Sequence, residues 1–98
     1  MREFLRGAVQ LHILHHAAEG EIHGAWMSRE LAEHGYDISP GTLYPTLHRL
    51  ESEGLLSSRS TVEEGRSRRV YKITAEGRRD LERTRKALKE LSEEVLDD

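Results

Sequence analysis

The stretch SPGTLYPTLHRLESEGLL, residues 39–56, places a proline six positions into what otherwise reads as an amphipathic helix. An interior proline removes one helical hydrogen bond and crowds the carbonyl four residues back, at a cost of about 3 kcal/mol. On a helical wheel Leu43, Leu47 and Leu50 share one face, which must be the buried one. Opposite them lie Gly41, Pro45 and Ser52, all compact, flanked by Tyr44 and His48 on one side and by Thr42 and Arg49 on the other. Two accounts of Pro45 follow. Either it belongs to a compact outward face that sits deep in a groove of another surface, or the regular helix begins near Thr42 and the proline falls in its tolerant first turn.

Upstream, residues 24–34 offer Met27, Leu31 and Ala32 to a core and stop at Gly35, an apt left-handed cap. After the short turn of residues 35–38, Ser39 caps the next helix and Pro40 takes its first position, where a missing N–H costs nothing. Two short helices joined by a tight glycine-containing turn form a helix-turn-helix. A first helix spans residues 2–19, ended by Gly20. Downstream, Gly54 breaks the central helix, and Leu55–Val62 and Arg69–Thr74 read as strands around a polar loop, Glu63–Arg68. That predicts a hairpin with a flexible basic tip carrying Arg66, Arg68 and Arg69. Thr74 can cap a last helix in which Leu81, Leu88 and Val95 recur every seven residues, with Thr84 and Leu91 between them. So regular a seam on a short charged helix favours a partner subunit; the alternative is a helix folded back on its own domain.

The chain has 98 residues, no cysteine and a net charge of -3. Its length suits one small domain that gains from sharing a core with a second copy. Without cysteine, disulfides and thiolate chemistry are excluded, and no apolar run approaches membrane-spanning length, so a cytoplasmic protein is expected. The charge is unevenly spread. Residues 39–79 carry eight basic and five acidic side chains, whereas residues 1–38 carry three and six, and residues 80–98 four and seven. A helix-turn-helix followed by an arginine-rich hairpin in the basic middle of the chain points to double-stranded DNA. There is no asparagine and the sole glutamine is Gln10, so bidentate readout of adenine is disfavoured. Arg49 is left for guanine, Thr42 and Tyr44 for mixed contacts, and the loop arginines for the backbone. The candidate contact set is Ser39, Thr42, Tyr44, Pro45, His48, Arg49, Arg66, Arg68 and Arg69.

These residues also carry a resemblance. LHILHHAAEGEIHG, then SPGTLYPTLHRLESEGLL, then GRSRRVYKITAEG closely resemble the PadR family of transcriptional regulators over almost the full chain. The resemblance implies a mainly α fold with a small β-hairpin: a winged helix-turn-helix over residues 1–74 and a C-terminal dimerisation helix over residues 75–98. It further implies a homodimer, usually a repressor, that binds a palindromic operator and is released by an effector, often a small aromatic molecule. The dimer seam would use Leu81, Leu88, Leu91 and Val95. Where family members commonly read His-Gly-Tyr-Glu-Ile, this chain has His23-Gly24-Ala25-Trp26-Met27. Trp26 either stacks on an effector or simply packs.

Six histidines are an unusual supply, and His12 and His16 stand one helical turn apart with His15 beside them. That spacing can present two imidazoles to one ion of the zinc or cadmium type, with a third ligand from Glu19, His34 or the other subunit. The alternative is that they are hydrogen-bonded core or surface residues. No cofactor is required by any motif. No nucleophile elbow, phosphate-binding loop, dinucleotide fingerprint or HExxH is present, so an enzyme is not expected. A winged helix that binds proteins instead of DNA is the main competitor.

Overall fold

The computed structural model describes residues 2–96, in the order α1 (Arg2–Glu19), β1 (Ile22–His23), α2 (Gly24–Glu33), α3 (Pro40–Ser52), β2 (Leu56–Glu63), β3 (Arg66–Ile73) and α4 (Ala75–Leu96). Asp97 and Asp98, included in the expected last helix, lie outside the described residues. The mainly helical fold class and the helix-turn-helix are as the sequence implies. Ile13 and Leu14 of α1, Met27 and Leu31 of α2, and Leu43, Leu47 and Leu50 of α3 are all fully buried, so each apolar stripe meets the others in one core. Gly35 ends α2 at φ +90°, and the Tyr36 N–H donates to the Leu31 carbonyl at 2.8 Å, closing the helix end as the sequence predicts.

In α3 the helix begins at Pro40, which places Pro45 inside it, exposed, and overturns the reading that regular helix starts near Thr42. Ser39 occupies the N-cap position in extended conformation, but its hydroxyl forms no capping bond to the backbone; it lies 3.5 Å from the Thr42 hydroxyl instead.

The sheet has the order β1-β3-β2, all antiparallel. The hairpin departs from the expected flexible loop. Glu64 (φ +52°) and Gly65 (φ +75°) form a two-residue turn, so β2 and β3 stay paired from Leu56↔Ile73 out to Glu63↔Arg66. Two left-handed residues in succession match the natural twist of a hairpin, which is why the ladder runs to the tip. The strand β1 pairs Ile22 with Tyr71 and His23 with Val70. Two residues carry no periodicity, so the sequence does not signal it; Val70, its partner residue on β3, is buried.

Thr74 caps α4 as expected: its hydroxyl accepts from the Gly77 N–H at 2.9 Å and donates to the Gly54 carbonyl at 2.6 Å. The seam along α4 divides in two. Leu81 is only 2% exposed and belongs to the core of its own chain, whereas Leu88, Leu91 and Val95 are 46%, 47% and 65% exposed. Leu81 is therefore not available to a partner subunit: the fold-back reading holds for the first half of the helix, while the second half leaves its apolar side chains exposed. At 1.5 Å per residue, a 22-residue helix is about 33 Å long, and it accounts for much of the 55 Å long axis.

Candidate nucleic-acid interface

Burial of Leu43, Leu47 and Leu50 turns Tyr44, Pro45 and His48 of α3 outward. Tyr44 is 48% exposed, and its ring lies against Gly24 at the start of α2. The approach is close: a Cβ on Gly24 would stand 2.5 Å from Tyr44 Cε1 and 2.9 Å from its hydroxyl. Only a glycine lets the ring sit there. Tyr44 then forms one wall of a groove whose other walls are His23 and Ala25, and Ser67, Arg68 and Arg69 of β3. The helix and the hairpin thus meet at one surface.

The three hairpin arginines do not form one tip. Because side chains alternate along a strand, Arg66 and Arg68 share one face of β3 and Arg69 takes the other. Arg69 donates to Ser58 Oγ at 3.0 Å and approaches Ser60 Oγ at 3.4 Å, both from β2. Ser58 in turn donates to the Glu51 carboxylate at 2.8 Å, tying the hairpin to α3. Burial first, and Glu51 second, push the Tyr71 phenol in this region above its usual value, so it stays neutral. Arg66 and Arg68 are exposed, with Arg66 paired across the ladder with Glu63.

Arg49 does not join this outward set. Its guanidinium donates to Glu53 Oε2 at 3.1 Å and to Gln10 Oε1 of α1 at 3.0 Å. Thr42 and Arg49 instead line a second cleft with Arg2, Arg6, Ile38 and Thr46, between α1 and α3. Ser39 is exposed at the start of α3. The Gln10, Ser58 and Glu51 partners were missed by sequence reasoning, because these pairs join different elements, 39, 11 and 7 residues apart, and leave no periodic or motif signal.

Away from this surface, a mostly apolar groove of about 680 Å³ runs between α1 and α4, with Phe4, Ala8, Leu11, Tyr36, Leu88 and Leu91 among its walls. The expected metal pair, His12 and His16, has its rings stacked with centroids 6.3 Å apart. The donor atoms that converge on α1 are those of His15, His16 and Glu19. His12 packs on His34, centroids 4.9 Å apart, and on Tyr36. Burial and the neighbouring His34, His16 and His15 hold its pKa below the usual histidine value, against a raising contribution from Glu30. Trp26 meets His16 edge to face at 5.2 Å and is partly exposed. None of the described helices is long and apolar enough to cross a membrane.

Residues 13–83 match the model of the transcriptional regulator PadR-like family. The chain is 64% identical over 96 residues to the transcriptional regulator Rv3488 of Mycobacterium tuberculosis, covering 98% of this chain and 90% of that one. A PadR family transcriptional regulator from Eggerthella lenta superposes with a TM-score of 0.84 at 34% identity, over 95% of this chain and 82% of the other. Bacillus subtilis PadR, solved in complex with operator DNA, shares the fold with a TM-score of 0.68 at 23% identity, over 74% of this chain and 44% of that one.

Proposed function

The chain belongs to the PadR-like family of transcriptional regulators, DNA-binding proteins rather than enzymes, and from that premise we propose that it is a cytoplasmic repressor that binds a palindromic operator as a homodimer. The observation that carries this reading is the groove in which Tyr44 of α3 meets Arg68 and Arg69 of β3. A helix with small outward residues can enter a major groove to base depth, while exposed guanidinium groups beside it take phosphates. Residues 1–74 serve as the reading head, with Ser39, Tyr44, Pro45 and His48 toward the bases, Thr42 at the margin of that face beside the α1–α3 cleft, and Arg66, Arg68 and Arg69 toward the backbone. Arg49 reads a base only after leaving Gln10 and Glu53, so its first role in the free protein is to brace α3 on α1.

Residues 75–98 supply the dimer contact through Leu88, Leu91 and Val95, whose exposure beside the apolar groove between α1 and α4 suits a second copy of the same surface. A small aromatic effector entering that groove would shift the spacing of the two reading heads and release the operator. Enrichment from a random duplex library tests the reading: it predicts an inverted repeat with half-sites about one helical turn apart. Enrichment of no sequence, with the dimer intact, favours a protein-binding winged helix instead.

A further inference from the structure

Glu19 stands between two imidazoles. Its Oε2 is 3.6 Å from His15 Nε2 and its Oε1 is 3.3 Å from His16 Nδ1. A tetrahedral ion with nitrogen and oxygen ligands at about 2.0–2.1 Å holds its donors roughly 3.4 Å apart. Both histidine–carboxylate separations are near that spacing already, and the three donor atoms all lie within 4.8 Å of one another.

The hydrogen bonds around them define the tautomers. His16 Nε2 lies 3.2 Å from Glu30 Oε2, which also meets His34 Nε2 at 3.0 Å. A carboxylate can only accept, so His16 donates from Nε2 to Glu30, and whenever Nδ1 is free of a proton its lone pair points toward Glu19. Two such electron-rich atoms 3.3 Å apart repel unless a cation, either a proton on Nδ1 or a metal ion in its place, lies between them. An outer carboxylate on the far nitrogen is also how metal-bound imidazoles are oriented and made more basic. Glu30, from a different helix, takes that position.

His15 is held differently. Arg85 of α4 lies 3.0 Å from His15 Nδ1, and since a guanidinium only donates, the neutral ring carries its proton on Nε2, the atom facing Glu19. To ligate an ion through Nε2, the ring must carry that proton on Nδ1 instead, where it opposes the Arg85 N–H.

We propose that His15 Nε2, His16 Nδ1 and the Glu19 carboxylate bind a divalent ion of the zinc class, with water completing the shell, and that binding frees Arg85 from α1. Ion binding is independent of the repressor reading; only the consequence for the dimer, through α4, rests on it. The experiment therefore contains no DNA. Zinc chloride is titrated calorimetrically into the full chain, with the fold of each variant checked by circular dichroism. His15→Ala, His16→Ala and Glu19→Gln should each weaken binding by more than about 100-fold, beyond the ~10–100-fold that loss of the outer partner in Glu30→Gln costs. Glu19→Gln is exposed and nearly isosteric, so it keeps the test decisive should a histidine variant unfold. His12→Ala should leave affinity within about 2-fold, since its ring lies outside the converging donors. Arg85→Ala should tighten binding about 2- to 10-fold, the equivalent of one net hydrogen bond no longer competing. Wild-type affinity in Glu19→Gln, or an equal loss in His12→Ala, overturns the site. Unchanged or weaker binding in Arg85→Ala overturns the release of α4.

Discussion

Replacing Leu81 and Leu91 separately by alanine should separate the two halves of α4. Leu81 is 2% exposed within its own chain, so Leu81→Ala leaves a cavity in the core and destabilises the fold by about 2–5 kcal/mol. Leu91 is 47% exposed. Full burial of a leucine stabilises by about 1.5–3 kcal/mol, so roughly 1 kcal/mol remains to be gained from covering the exposed half. In a two-fold dimer the contact occurs twice, and losing about 2 kcal/mol corresponds to a dimer dissociation constant about 30-fold weaker. Urea denaturation at two protein concentrations, alongside sedimentation velocity, distinguishes the effects. Leu81→Ala should lower the midpoint equally at both concentrations; Leu91→Ala should lower it chiefly at the lower one, because dimerisation contributes stability by mass action. Leu91→Asp, with a charge in the seam, should give monomers at micromolar concentration. A Leu81→Ala variant that loses only dimerisation, or a Leu91→Asp variant that remains dimeric, would refute the division.

Gly24→Ala should act on DNA binding through Tyr44. The added Cβ would stand 2.5 Å from the ring, which is half exposed and can swing away, so we expect about 1 kcal/mol of lost stability but an affinity for the selected operator about tenfold lower. A Gly24→Ala, Tyr44→Ala double variant should bind no worse than Tyr44→Ala alone; additive losses would show that Gly24 acts by another route. The lowered pKa of His12, caused first by burial and then by His34, His16 and His15, makes the unfolded chain bind more protons just below pH ~6.5. Stability should therefore be fully present above that value and fall as pH drops through it. With chelator present, the slope of stability between pH 7.5 and 5.5 should be shallower in His12→Ala; an equal slope removes His12 as its source.

Much of this architecture is legible in the sequence because its signals are local. The leucines of α3 repeat at helical period, Gly35 supplies the left-handed stop, and Thr74 caps α4 with a bond three residues away. What escapes is long-range or depends on alternation. Leu81 reads as one more heptad leucine, and only the way α4 crosses its own domain makes it core. Three arginines within four positions read as one cluster until the strand pairing, set by the Glu64–Gly65 turn, sends Arg69 to the opposite face from Arg66 and Arg68. Arg49 looks free on a helical wheel because the wheel does not contain Gln10. Glu30 looks like a surface charge on α2 until the packing sets it between His16 and His34.

The central claim, that the outward face of α3 and the hairpin arginines hold duplex DNA, is tested most directly by the salt dependence of operator affinity in the wild type and in Arg66→Ala, Arg68→Ala. Each phosphate contact contributes about 0.9 to the slope of log affinity against log salt. Removing two per protomer should flatten the slope by about 3.6 for a dimer, with the fold and the dimer intact. A slope equal to that of the wild type, or a dimer that binds no duplex even at low salt, would contradict it.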